Sequence, residues 1–281
     1  MAPQLRYLDL EFELQPRRSL VWPVMRRGIM LRGILGVALR SGALRQSLFS
    51  PVAMPEQQRL RGNRDRVRPF VVAPALVGPG VVEPGDVALF VLRLFGKASG
   101  VGNEVAHLIH REAERGIGVD RVPCTAQVSA TVAGALDLGW DRKAPARADA
   151  RITFLSPVEL KEGGLPVKDA REVLPALVKR ARDRVSGLYH LYEDGPALDW
   201  DFAAIGAEAE QGRVQDANLR RVSEVRTSSR TGQTHALEGW LGHLDCSGLT
   251  PAAMHMLDCA LITHVGKHAT FGQGRIRISQ P

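Results

Sequence analysis

Leu8, Leu10, Phe12 and Leu14 alternate with Asp9, Glu11 and Glu13, the period of two that a half-buried strand requires. From Gly28 the period changes. Leu31, Ile34, Leu35, Ala38 and Leu39 fall on one side of a helix, while Arg32, Gly36 and Arg40 line another at i, i+4 and i+8. A proline- and arginine-rich loop runs to about Arg68, followed by strand-like runs near Pro69 to Pro74 and Val87 to Phe95. A helix from about Asn103 to Arg115 and a strand around Val122 to Leu136 complete this half. The segment DRKAPARADA, Asp141 to Ala150, is polar and contains proline, so domains are expected at residues 1–148 and 149–281.

Beyond that segment the pattern predicts a strand from Arg151 to Leu160 and a long basic helix from Asp169 to Tyr192, restarted at Pro175. An irregular stretch with Gly195, Pro196, Gly206 and Gly212 follows, then strands at about Ser223 to Arg226 and His235 to Leu244. A helix from Thr250 to about Ile262 and a last strand ending at Ile278 close the chain. Each half reads strand, helix, strand, strand, helix, strand. The expected fold is therefore α+β: two tandem ferredoxin-like (RRM-like, βαββαβ) domains, with a basic helical insertion in the second.

Composition narrows the class. Of 281 residues, 44% are hydrophobic and 24% charged, which excludes collagen-like, coiled-coil and disordered chains. Arg26, Arg27, Arg32 and Arg40 break the most apolar early stretch before it reaches the roughly 18 residues of a membrane span. The acidic alternation after Leu8 does not suit a secretory signal. Cys124, Cys246 and Cys259 are widely spaced, which argues against a disulfide framework or zinc site and fits a reducing cytoplasm with no membrane partner.

Charge carries more. The net charge is +7, and the 37 basic residues are 31 arginines and 6 lysines. Arginine grips phosphate with a planar fork and stacks on bases, so this bias points to a nucleic acid. Between Gln15 and Pro55 there are seven arginines, Arg17, Arg18, Arg26, Arg27, Arg32, Arg40 and Arg45, with no lysine and no acidic residue. Arg59, Arg61, Arg64, Arg66 and Arg68 extend the run, with Asp65 the only carboxylate among them. An external anion is the expected counter-charge.

The C-terminal stretch HVGKHATFGQGRIRI, from His264 to Ile278, combines Gly266, Gly272 and Gly274 with Lys267, His268, Arg275 and Arg277. Glycines that let backbone approach a ligand, beside donors for phosphate, make it a candidate RNA-contacting loop; a hairpin finishing a sheet is the structural alternative. It lacks the GK[ST] ending of a nucleotide-binding P-loop.

Together with RITFLSPVEL and LRGILGVALR, this stretch resembles the CRISPR precursor-RNA processing endoribonucleases of the RAMP superfamily. RPFVVAP, PGDVALFVLRLFGKA, GIGVDR and HALEGWLGHLDCSG add to the resemblance, which covers the chain from about Leu5 to Ile278. It implies two ferredoxin-like domains, a repeat-hairpin RNA substrate cut at its 3′ base, mature crRNA as product, other CRISPR effector subunits as partners, and no metal or cofactor. Such cleavage aligns a 2′-hydroxyl with the adjacent phosphate, meets the phosphorane charge with cations and gives a proton to the leaving 5′-oxygen, leaving a 2′,3′-cyclic phosphate and a 5′-hydroxyl.

Many relatives place a histidine in or after the first helix. Here no His, Lys or Tyr lies between Gln15 and Arg68. Three substitutes stand open: His264 and His268 flanking Lys267 in the glycine loop; His107 and His110, which share a helix face at i, i+3 and with Glu114 would make a metal site lacking a fourth ligand; and an arginine site of Arg27, Arg32 and Arg40. For hairpin recognition the candidates are Arg17, Arg18, Arg26, Arg45, Arg61, Arg64, Arg180, Arg184, Arg220, Arg221, Arg226, Arg230, Lys267 and Arg275, gripping phosphates and 2′-hydroxyls of an A-form duplex. The alternative function is a non-catalytic RAMP-like RNA-binding subunit of an effector complex, which the missing histidine favours. A tandem RRM-like binder of single strands lacks the aromatic-rich strand motif.

Overall fold

The computed structural model describes residues 2–40, 42–49, 67–140, 148–227 and 234–281. In the first half, β1 (Gln4–Pro16) is followed by β2 (Leu20–Val21), α1 (Arg27–Ala38), β3 (Phe70–Pro74), β4 (Val81–Val82), β5 (Ala88–Phe95), α2 (Gly102–Arg115) and β6 (Cys124–Asp137). The second half holds β7 (Ala148–Val158), β8 (Lys161–Glu162), β9 (Leu165–Pro166), α3 (Val173–Tyr192), α4 (Phe202–Ala209), β10 (Arg213–Thr227), β11 (Thr234–Leu249), α5 (Pro251–Thr263) and β12 (Ile276–Ser279). The two main sheets run β3-β5-β1-β6 and β10-β11-β7-β12, antiparallel throughout. Numbering the main strands of each half one to four, both orders read 2-3-1-4, the ferredoxin-like arrangement that the element order predicts.

The alternation along β1 decides how the halves stack. Leu10, Phe12 and Leu14 turn to one face and join a core with Leu31 and Leu35 of α1 and Val105 and Ile109 of α2. Leu5 and Tyr7 turn to the other face, where with Val71 and Phe95 they join the core of the second half. At its Leu5 end that opposite face meets α3 of the second half, while Glu11 and Leu89 farther along it stay exposed. Helix α3 is buried along most of its length, with Lys179, Arg180 and Arg182 on its partly exposed side. Its Tyr192 hydroxyl donates to the Val67 carbonyl at 2.9 Å across the seam.

Two details depart from the expected pattern. The basic helix is α3, which is the first crossover helix of the second repeat rather than an insertion; the additional helix is α4, FAAIGAEA, which carries no basic residue. Strand β10 begins at Arg213, ten residues before the predicted strand, because a register shift between Val214 and Asp216 and a run of exposed polar residues hide its alternation. Chain crosses from one main sheet to the other between Asp137 and Ala148, and residues 141–147 of the expected boundary lie outside the described residues. Among the described residues no helix is long and apolar enough to cross a membrane.

Candidate functional site

The glycine-rich segment leaves α5 at His264 and folds back onto the end of β7. Lys267 N donates to the Glu159 carbonyl and Gly274 N to the Pro157 carbonyl, both at 2.9 Å, and Val265 N donates to the Gly274 carbonyl at 3.0 Å. Gly266, at φ +80°, lies so close to the Glu159 carbonyl that a side chain there would overlap it. These glycines therefore serve packing of the protein on itself, and those amides are consumed internally rather than offered to a ligand.

What the loop presents is its 3-10 turn, Ala269–Phe271, which lands on α1 and β3 of the other half. A methyl group on Gly28 of α1 would overlap the Phe271 carbonyl. One turn further along α1, the Arg32 guanidinium sits 3.7 Å from the Phe49 ring centroid, 5.4 Å from Phe70 and 5.3 Å from Phe271. His268 meets the edge of Phe271, with ring centroids 5.7 Å apart. Its Nε2 lies 3.3 Å from Glu159 Oε2, close but not aligned as a hydrogen bond, and Lys267 Nζ lies 3.3 Å from Glu159 Oε1. Burial would raise the Glu159 carboxyl, but the contact with His268 and the charges of Lys267 and His268 outweigh it and hold the group below its ordinary value. Phe271 thus stands between Arg32 of one half and His268 of the other, and His268 shares Glu159 with Lys267.

Other expected site residues turn inward. Arg27 is buried and donates to five backbone carbonyls: Nε to Trp22 at 3.0 Å, one terminal nitrogen to Ala75 and Val77 at 2.7 and 2.8 Å, the other to Gly78 and Pro79 at 3.0 and 2.8 Å. It fastens residues 75–79 to α1 and has no donor left for a phosphate. His264 is also buried; Nδ1 faces the Gln273 carbonyl at 3.2 Å, and burial with the charges of Arg184, Arg93 and Arg275 lowers its pKa to about 3. Such an imidazole stays neutral and away from solvent, so the expectation that it shuttles protons is corrected. Arg40 lies past the end of α1, about 12 Å along the axis from Arg32, where its carbonyl accepts from Arg45 at 2.6 Å.

Arg184, expected on RNA, is buried and donates Nε to the Thr263 carbonyl at 2.6 Å. Arg93 pairs with both oxygens of Asp9 at 2.6 Å and donates to the Ile262 carbonyl at 2.7 Å. Two guanidiniums, one from each half, therefore cap the carbonyl end of α5, where the helix dipole is negative. Arg275 is half-buried, with its backbone N on Ser156 Oγ at 2.9 Å and a terminal nitrogen 3.4 Å from the Pro74 carbonyl.

The remaining candidates lie outside. Arg18 donates to the Asp120 carbonyl at 2.7 Å, so its charge and that of Arg45 meet carbonyls rather than carboxylates. Arg220 is exposed on β10. Arg17 stands 3.9 Å from Glu114, Arg26 3.1 Å from Glu224 across the seam, Arg180 3.3 Å from Asp183 and Arg221 2.9 Å from Glu238. Arg61, Arg64, Arg230 and the side chain of Arg226 lie outside the described residues.

His110 is held by the Ala126 carbonyl, 2.8 Å from Nδ1, and His107 stands exposed, so these two form no ligand set with Glu114. Asp216, His243 and Asp245 do converge, but Arg151 occupies both Asp245 oxygens at 2.6 and 2.7 Å. Sequence reasoning passed over Glu159 and Phe271. The available signal for Glu159 was a lone carboxylate ending the otherwise apolar run TFLSPVEL.

Residues 152–276 match the family model of the CRISPR-associated endoribonuclease Cas6, and residues 5–135 match the N-terminal domain model AF_1859_N. The second half of the chain thus carries the Cas6 endoribonuclease domain of CRISPR RNA processing. No curated protein matches it. Among solved structures, Thermus thermophilus Cas6 (TTHB231) in a product complex is 17% identical with a TM-score of 0.58, covering 99% of this chain and 100% of that one. Cas6 (TTHA0078) in a product complex is also 17% identical, with a TM-score of 0.55 and coverage of 99% and 100%. A partial Cas6-RT-Cas1–Cas2 complex shares 15% identity at a TM-score of 0.59, covering all of this chain and 46% of that one. At these identities the likeness is of fold.

Proposed function

We propose that this protein binds the repeat hairpin of CRISPR transcripts and cuts at its 3′ base by attack of the upstream 2′-hydroxyl, giving a 2′,3′-cyclic phosphate and a 5′-hydroxyl. The observation that carries the reading is the junction of Arg32, Lys267 and His268 where the loop of one half meets α1 of the other. Guanidinium and ammonium groups there supply the charge that a phosphorane requires, and the His268 imidazole is the acid–base group beside them. Glu159, the carboxylate beside His268, faces Lys267 and His268, which supports a reaction that needs no metal.

Arg18, Arg45 and Arg220 line up as cations for the hairpin phosphates, and a cytoplasmic location suits both the transcript and the free cysteines. Two of the solved structures are product complexes, and another is a partial Cas6-RT-Cas1–Cas2 complex; retention of the mature crRNA and assembly with CRISPR proteins are proposed here on that analogy. The test is incubation of the protein with repeat RNA in EDTA. Cleavage with a cyclic-phosphate end is expected, along with complete block by a 2′-deoxy substitution upstream of the cut. Cleavage only with added divalent metal, or continued cutting of the deoxy substrate, overturns the mechanism. Tight hairpin binding without product would select the non-catalytic subunit.

A further inference from the structure

We propose that Glu159 is the positioning residue of the cleavage step, orienting the His268 imidazole through Nε2 so that Nδ1 serves as the proton donor to the leaving 5′-oxygen. This rests on the reading of His268 given above. Glu159 sits at the end of β7, outside both the glycine loop and α1, yet three of its atoms hold the loop: its carbonyl takes Lys267 N, Oε1 faces Lys267 Nζ and Oε2 faces His268 Nε2. Only 11% of its side chain and 16% of that of His268 are exposed, so the pair is shielded from the water that would otherwise weaken it.

The choice of ring nitrogen follows. A carboxylate that faces Nε2 of the imidazolium leaves Nδ1 to serve the substrate. His268 also adopts φ +66°, a left-handed conformation uncommon for a side chain with a Cβ, which the surrounding contacts must hold in place. From that position its ring abuts Phe271, on which Arg32 rests. Carboxylate, imidazole, phenyl ring and guanidinium therefore form a continuous chain from β7 to α1.

In the step itself the O2′–P bond forms and the P–O5′ bond breaks. Solvent takes the 2′-hydroxyl proton, and the proton on Nδ1 of the imidazolium passes to O5′. The charged groups about the imidazole are Glu159 from β7, Lys267 beside it, Arg32 beyond Phe271 and Arg275 after the loop. Glu159 is the one among them whose charge is opposite to that of an imidazolium.

Single-turnover rates against pH test the assignment, with wild type, Glu159→Gln, Glu159→Asp and His268→Ala on repeat RNA. Glu159→Gln is expected to slow cleavage about tenfold or more and to move the alkaline limb of the profile to lower pH, with Glu159→Asp shifted the same way by less. RNA with a bridging sulfur at the 5′ position of the cut needs no proton on its leaving group, so the loss should largely vanish there. An unshifted Glu159→Gln profile, or equal slowing of the oxygen and sulfur substrates, overturns the positioning role and leaves a merely structural one. Should Glu159→Gln not fold, an unshifted Glu159→Asp profile has the same force. Normal cutting by His268→Ala overturns instead the underlying reading of the site.

Discussion

Gly28 of α1 and Phe271 of the C-terminal turn touch backbone to backbone, and this contact sets how near Arg32 comes to the glycine loop. The α1 backbone can approach the Phe271 carbonyl only because residue 28 has no Cβ. Gly28→Ala gains roughly 1 kcal/mol of helix propensity but forces an overlap worth about 1–3 kcal/mol. A lower melting temperature together with slower single-turnover cleavage is expected. Thermal unfolding and cleavage assays read both, and a variant as stable and fast as wild type would show that the seam tolerates separation.

Arg27 and Arg32 lie five residues apart on the same helix and are expected to fail in different ways. Arg27 is buried on five carbonyls, so Arg27→Met should cost about 3 kcal/mol of stability, and Arg27→Lys should restore little because an ammonium cannot span that fork of acceptors. Arg32 is packed on aromatic rings beside the proposed cleavage site. Arg32→Ala should slow cleavage about tenfold, near 1.4 kcal/mol of transition-state stabilisation. Denaturant unfolding paired with single-turnover kinetics separates the two outcomes.

That contrast also shows where reading the chain reaches its limit. Helix α1 was legible from Leu31, Ile34 and Leu35, and the repeated element order was legible because each main strand except β10 kept a clear pattern. The jobs of the arginines were not. Arg27, Arg32 and Arg40 are one residue type on or just past one helix, and what separates them is what lies opposite: residues 75–79 for Arg27, the aromatic ring of a turn more than two hundred positions away for Arg32, and Arg45 for Arg40. His264 and His268 differ likewise only in burial, since α5 ends under Arg93 and Arg184 while the turn after Lys267 reaches the seam. Such distinctions belong to long-range packing, and no local spacing encodes them.

The burial of His264 carries a pH signature. In the folded chain its pKa falls to about 3, through burial first and then the neighbouring arginine charges, whereas an unfolded histidine titrates near 6.5. Between those values the unfolded state binds the extra proton, so this residue leaves stability intact above about pH 6.5 and erodes it as pH falls toward about 3, with a slope approaching 1.4 kcal/mol per pH unit. Carboxylates titrate in the same window, so the informative quantity is the difference between wild type and His264→Gln. The stability curve of the variant should be flatter between pH 6 and pH 4. Parallel curves would mean that the imidazole is accessible to protons in the folded protein.

RNA affinity should divide the exposed arginines by their partners. Arg18 and Arg45 rest on carbonyl oxygens and keep their full charge, whereas Arg180 lies 3.3 Å from Asp183 on its own helix. A phosphate that meets Arg18 or Arg45 displaces a condensed counterion without first separating an ion pair. Replacing either by alanine should therefore weaken hairpin binding and reduce the slope of log K against log salt by about 1. Arg180→Ala should change the slope less, because Asp183, which it shares with Arg182, offsets part of its field. Filter binding across a salt series is sufficient, and a slope change at Arg180 equal to that at Arg18 would show that the hairpin lies over α3 instead of the arginine-rich first half.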